Sequence, residues 1–121
     1  MVLGKIVENT PFVKVTVGYG TSVQKPVAIL DTGFTGDLQV SPTIADQLEL
    51  EPIGVARAKV AGGQSIKVMS AMAVAKMEEE TRVIEVLISE GMPMIGMSFL
   101  SKFGYEARIN YKNKKVVLEM V

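Results

Sequence analysis

Val27-Ala28-Ile29-Leu30 is an unbroken apolar run that delivers the chain straight into Asp31-Thr32-Gly33. A run of this kind predicts a strand buried on both faces, so a carboxylate is set down at the edge of the core. Burying an ionised carboxylate without a partner consumes a large share of the margin by which a small domain is stable. A residue in that position needs a reason. Outward from it, apolar residues recur at strand-like spacing. Val13, Val15 and Val17 alternate with Lys14 and Thr16, and Val83, Val86, Leu87 and Ile88 form another β-branched cluster. Turn residues punctuate the runs at Gly18-Tyr19-Gly20, Gly62-Gly63, Glu78 to Glu80 and Lys112-Asn113-Lys114, which predicts a meander of hairpins. Two short helices interrupt it. Ser41-Pro42 is an N-cap followed by proline at the first helical position, with Ile44, Ala45 and Leu48 on one apolar face. A second helix is predicted from Met97 to Lys102, with Phe99, Leu100 and Phe103 on one side and Gly104 ending it. The pattern is that of an all-β domain with two short helices, spanning residues 1–121 as one unit.

Composition excludes much chemistry. The 121 residues are 48% hydrophobic and 21% charged, the proportions of one compact domain. Thirteen basic residues balance thirteen acidic ones, so no net field gathers nucleic acid or a membrane surface, and neither is expected as a partner. Histidine and cysteine are both absent. That removes thiol nucleophiles, Ser-His and Cys-His dyads, the usual zinc, iron-sulfur and haem ligands and any disulfide framework. Chemistry here must rest on carboxylates, hydroxyls, amines and backbone groups. Lys5 and Glu8 interrupt the first residues, so neither a signal peptide nor a transmembrane span is read there, and the cytoplasm is the expected compartment.

Asp31-Thr32-Gly33 after a hydrophobic strand resembles the catalytic triplet of aspartic proteases, and three further matches follow in order. A helix with Ser41-Pro42 comes next. The segment Lys59-Val60-Ala61-Gly62-Gly63-Gln64-Ser65-Ile66 resembles a glycine-tipped flap hairpin, and Met94-Ile95-Gly96 before Phe99-Leu100 resembles the hydrophobic-hydrophobic-glycine element preceding the C-terminal helix. A final hairpin from Tyr105 to Val121 completes the set. An isolated Asp-Thr-Gly usually means a turn; the ordered set is far more specific. Residues 12–121 are thus similar to the small retroviral-type, retropepsin-like aspartic proteases, in particular a prokaryotic group in which phenylalanine follows the triplet.

This resemblance implies a retropepsin-like acid protease barrel with one lobe per chain, and a homodimeric endopeptidase acting on peptides or unfolded protein segments. It implies Asp31, Thr32 and Gly33 at the catalytic centre, with two Asp31 carboxylates, one per chain, sharing a proton. Thr32 would brace the loop across the dimer, and Gly33 would permit close backbone approach. Phe34 and Thr35 beside the triplet, and Ala61, Gly62, Gly63 and Gln64 in the flap, would contact substrate. Gly96 would pack beneath the triplet. No metal and no cofactor is implied.

Two departures from the family matter. Phe34 stands where most members carry alanine or serine, and Met97-Ser98 replaces an arginine followed by aspartate or asparagine. The phenyl ring either fills the cleft or turns into the core; we expect the cleft, since helix and apolar strand already supply core. A ring in the cleft also motivates a second reading, a catalytically silent dimeric peptide-binding or scaffold module of the same fold. Met92, Met94 and Met97 are spaced as soft-metal ligands could be, but with no cysteine or histidine to reinforce them they read as buried core. Glu78-Glu79-Glu80 reads as a solvated hairpin tip, Asp37 as a loop hydrogen-bonder and Asp46 as a solvent-facing helix residue.

Overall fold

The computed structural model describes residues 1–59 and 62–121. Its elements, in chain order, are β1 (Val2–Val7), β2 (Thr10–Lys14), β3 (Thr16–Tyr19), β4 (Ser22–Gln24), β5 (Val27–Leu30), β6 (Leu38–Val40), α1 (Pro42–Leu48), β7 (Gly54–Lys59), β8 (Ser65–Met77), β9 (Glu80–Ile88), β10 (Met94–Ile95), α2 (Met97–Phe103), β11 (Tyr105–Asn110) and β12 (Lys115–Met120). The chain is all-β with two short helices. No described helix is long and apolar enough to cross a membrane.

Local sequence accounts for the helix ends. The Ser41 hydroxyl accepts the Ile44 N–H at 3.3 Å, satisfying a donor that the first turn of α1 leaves open. Gly104 ends α2 in the left-handed conformation at φ 68°, and its N–H closes onto the carbonyls of Leu100 and Ser101. The hairpins β3–β4, β7–β8, β8–β9 and β11–β12 follow the expected punctuation, and a further hairpin, β1–β2, turns at Glu8 and Asn9, both at positive φ.

The meander expectation fails in the centre. The strands lie in the order β11-β12-β1-β2-β5-β10-β6-β9-β8-β3-β4, with β7 added to β8. β10 pairs parallel to β5, and β6 pairs parallel to β9. Parallel neighbours need crossovers, so the centre of the sheet is assembled from segments far apart in sequence. The expectation for β5 is corrected too. Ala28 and Leu30 are buried while Val27 is exposed and Ile29 part exposed. The apolar run covers the core with one face only, because among the described residues the other side of this strand carries no second layer.

One main core joins Val13, Val15 and Val17, Leu38 and Val40, Ile84 and Val86 to Leu48 of α1 and to Phe99, Leu100 and Phe103 of α2. The rings of Phe99 and Phe103 lie 4.8 Å apart, and Phe103 stacks on Tyr105 at 5.9 Å, which ties α2 to the start of β11. Phe34, Ala58, Val68 and Leu87 form a smaller, separate cluster. Met92 and Met97 are exposed, not core as expected, because they lie in the loop before β10 and at the first turn of α2, outside its buried face.

Phe99 is the largest fully buried side chain and anchors α2. Phe99→Ala should lower the unfolding free energy by about 3–5 kcal/mol through lost transfer energy and a cavity. Urea unfolding checks it, with a lower midpoint at an unchanged slope as the expected result.

Candidate active site

Three short segments build the site. β5 runs parallel to β10, with Ile29 beside Met94 and Leu30 beside Ile95. The pairing continues past the strand ends. Ile29 N–H donates to Pro93 O at 2.8 Å and Asp31 N–H donates to Ile95 O at 3.0 Å. Asp31 is therefore fixed by its backbone to the neighbouring strand before its side chain makes any contact.

The loop after it is tight. Gly33 N–H donates to the Asp31 carboxylate Oδ1 at 2.9 Å, and Phe34 N–H donates to the Asp31 carbonyl at 3.1 Å. Thr32 and Gly33 are exposed, and Asp31 is part exposed. Among the described residues Asp31 enters no ion pair. Its carboxylate is oriented by one backbone donor and is otherwise free to meet a reacting group.

Gly96 underlies this loop. Its N–H donates to Asp37 O at 3.1 Å, and the next residue, Met97, donates to Phe34 O at 2.9 Å. A Cβ on Gly96 would collide with Phe34 O and stand 2.5 Å from Gly36 O, both backbone atoms that cannot swing aside. Only hydrogen at this position lets the two backbones approach so closely.

Phe34 departs from expectation. Its ring is 5% exposed and packs with Ala58 and Val68 of the β7–β8 hairpin and Leu87 of β9, not out into an open cleft. Two glycines make the space for it: a Cβ on Gly36 would lie 2.7 Å from the ring tip, and one on Gly96 2.7 Å from Cδ2. The apolar side chains on the hairpin need a partner, and the ring supplies it. Phe34 thus ties the triplet loop to the middle and upper part of the hairpin that carries the proposed flap.

The remaining candidates are more dispersed. Thr35 is exposed beside Phe34. Gly62 and Gly63 take positive φ, 93° and 81°, at the end of the β7–β8 hairpin, with open space around both and Gln64 exposed next to them. Ala61 lies outside the described residues. The described contacts that join hairpin and triplet loop run through Phe34 and not through these tip residues.

A cleft of about 300 Å³ opens beside the loop, lined by Phe34, Thr35, Asp37, Arg57, Glu85 and Lys102 among others. Asp37, at 3% exposure, is its most buried charge. Its Oδ2 accepts Glu85 N–H at 2.9 Å and the Lys102 ammonium at 2.5 Å, while Oδ1 is buried with no hydrogen-bond partner among the described residues. Reading the sequence placed Asp37 as a loop hydrogen-bonder but gave no sign of Arg57, Glu85 or Lys102. The Asp37–Lys102 pair spans 65 positions, and no local pattern signals it.

No family model matches the sequence, and no curated protein matches it significantly. Solved structures do match in shape. A crystal structure of a retropepsin-like aspartic protease from Rickettsia conorii superposes with a TM-score of 0.67 at 16% identity, covering 99% of this chain and 89% of that one. EIAV protease complexed with the inhibitor HBY-793 superposes with a TM-score of 0.66 at 16% identity, covering 81% of this chain and 91% of that one. The fold is that of the retropepsin-like aspartic proteases, in the form of one all-β lobe with two short helices.

Two substitutions test the construction of the loop. Phe34→Ala should cost about 3–5 kcal/mol, because it empties the centre of the smaller core; a melting temperature within a degree or two of the parent would show the ring to be dispensable. Gly96→Ala should destabilise by about 1–3 kcal/mol or more by forcing the two backbones apart. Its unfolding free energy, compared with that of Gly54→Ala, where the new Cβ meets open space, isolates the clash.

Proposed function

We propose that this chain is a homodimeric aspartic endopeptidase that hydrolyses peptide bonds in peptides or unfolded protein segments, using two Asp31 carboxylates, one from each copy. The observation that supports it most is the Asp31 loop itself: a part-exposed carboxylate, oriented by Gly33 N–H and backed by Gly96, inside a retropepsin-like lobe. One lobe carries one such loop, and the chemistry needs two carboxylates.

The reason is proton accounting. Attack by water requires one group to accept a proton from the water and another to give a proton to the carbonyl oxygen. Two carboxylates about 3 Å apart cannot both ionise, so the pair holds one proton between them. The ionised member takes a proton as the water oxygen bonds to the carbonyl carbon, and the protonated member gives its proton to the carbonyl oxygen. Collapse of the resulting diol breaks the C–N bond, with a proton passing to the leaving nitrogen. The pair titrates as a unit. No metal or cofactor is required by this sequence of steps.

In this reading Thr32 braces the loop between copies, and Thr35, Ala61, Gly62, Gly63 and Gln64 contact the peptide, the hairpin tip closing over it as lids do. Phe34 shapes the wall behind the triplet. The alternative of a silent peptide-binding module drew its support from a ring blocking the cleft, and the ring's burial removes that support. The cytoplasmic placement belongs to the same reading.

Asp31→Asn should retain the parent fold and lose cleavage of denatured casein by at least about a thousandfold, since removal of a group from a catalytic unit costs on that order. Parent specific activity should fall as the enzyme is diluted through its dissociation constant. Cleavage unchanged in Asp31→Asn, or specific activity constant on dilution of a chain shown to be monomeric over that range, would overturn the proposal.

A further inference from the structure

Lys5 of β1, Lys14 of β2 and Lys115 of β12 gather on one face of the sheet. Lys5 stands directly opposite Phe12 on one side and Lys115 on the other, and Lys14 follows Phe12 by two residues, so all three side chains leave the sheet on the side of Phe12. All three are exposed, and none enters an ion pair among the described residues. Lys5 and Lys115 are like charges at facing positions, an arrangement that destabilises a sheet. The equal numbers of acids and bases in the whole chain conceal this local excess.

The same face carries an apolar groove. It holds about 490 Å³ and is lined by Leu3, Val7, Phe12 and Val27 together with Lys5 and Lys14, with no carboxylate in its walls. Leu3 is 68% exposed and Val7 53%, a large apolar area to leave in water. The acids nearby do not answer the lysines. Glu8 is exposed in the β1–β2 turn and enters no ion pair among the described residues, while Glu106 and Glu119 are both held by Arg108. An apolar floor with a cationic rim is complementary to a chain that mixes apolar with acidic side chains.

Position relates the groove to Asp31. Val27, Ile29 and Asp31 alternate onto one side of β5, and Ile29 faces Phe12, so carboxylate and groove share a continuous surface. At the rise and spacing of strands, Val27 lies roughly 13 Å from Asp31, and Lys5, two strands over from β5, roughly 12 Å. An extended polypeptide covers such a distance in roughly four residues.

We infer that this face is an accessory substrate surface, which takes an acidic and apolar stretch of an extended polypeptide roughly four residues from the bond cut at Asp31. Lys5, Lys14 and Lys115 meet the acidic side chains, and Leu3, Val7, Phe12 and Val27 the apolar ones. This rests on the endopeptidase reading above and names the class of polypeptide it acts on. One exposed lysine holds a carboxylate weakly, so the three act together, speeding capture of an acidic chain and fixing where it lies.

Binding without cleavage tests it. Asp31→Asn protein is titrated, by fluorescence anisotropy, into a rhodamine-labelled decapeptide alternating glutamate with valine and leucine, and into its counterpart with lysine for glutamate. The acidic peptide should bind at low ionic strength, the lysine peptide should not, and about 0.5 M salt should abolish the difference. Adding Lys5→Glu and Lys14→Glu should raise the Kd for the acidic peptide at least roughly tenfold and give the lysine peptide measurable affinity. Lys5→Glu alone should melt at or above the parent temperature, because it then faces Lys115 with the opposite charge; weaker binding by a protein at least as stable separates recognition from a structural role. In otherwise native enzyme, the two reversals should raise KM for acidic peptides with kcat held. A Kd indifferent to the reversals, or equal binding of the two peptides, would overturn the surface and leave the two-carboxylate reading standing. So would a protein that ignores both peptides but sediments with phosphatidylserine vesicles until the lysines are reversed, since the face would then be a membrane surface. Charge-dependent peptide binding in a protein whose parent shows no Asp31-dependent cleavage would support the surface and remove the catalytic reading.

Discussion

The close approach of the Asp31–Asp37 loop to the segment Pro93–Met97 is the constraint on which the other parts depend. Three backbone hydrogen bonds cross between the two regions, from Asp31 to Ile95, Gly96 to Asp37 and Met97 to Phe34, and one from Ile29 of β5 to Pro93 leads into them. β10 is only two residues long, yet it pairs with β5 on one side and β6 on the other and so closes the centre of the sheet. Such a short strand has little ladder of its own. The bonds past its ends hold it, and they exist because Gly96 has no side chain to keep the backbones apart. α2 begins at the next residue, so the helix that presents Phe99, Leu100 and Phe103 to the core inherits its position from the same contact.

Charge reinforces this geometry from the other end of the helix. In the retroviral enzymes that the sequence resembles, an arginine follows the glycine, but here that residue is Met97 and it is exposed. The cation that reaches the loop is Lys102, further along α2, and it meets a carboxylate that is itself nearly inaccessible. Asp37 also receives Glu85 N–H, so one buried carboxylate joins the loop, α2 and β9. Such a pair adds little by merely existing, since Asp37 has given up water while Lys102 keeps much of its own. Its grip is asymmetric: once Asp37 is buried, losing Lys102 leaves a charge with no counterion, and this disfavours any arrangement in which α2 moves away.

Local rules made much of this structure legible in advance. Ser41-Pro42 and Gly104 mark helix ends through hydrogen bonds within a few residues, and the alternation of Val13, Val15 and Val17 follows from the period of a strand that faces one core. The triplet, the hairpin and the Met94-Ile95-Gly96 element were legible as an ordered set, and with them the fold. What escaped depends on partners distant in sequence. A continuous apolar run does not say whether one face or both will be covered, and for Val27 to Leu30 only one is. The direction of the Phe34 ring is decided by space that Gly36 and Gly96 leave open and by Ala58, Val68 and Leu87, none of them its neighbour in the chain except Gly36. Lys102 carries no mark distinguishing it from any other helix lysine.

The one-sided burial of β5 has a consequence for the carboxylate at its end. Ala28 and Leu30 face the core, while Val27 and Ile29 face away from it, and Asp31 follows on the part-exposed side. In the single chain the carboxylate therefore keeps access to water, and its ionised form avoids the desolvation cost that a position beside a fully covered strand would impose. In the two-chain reading, that cost arises only on association, when a second carboxylate is brought close. There it is relieved by the chemistry itself, because two carboxylates that share a proton carry one negative charge and not two. On that reading each lobe folds without a buried lone charge at Asp31, and the two carboxylates meet only when the copies associate.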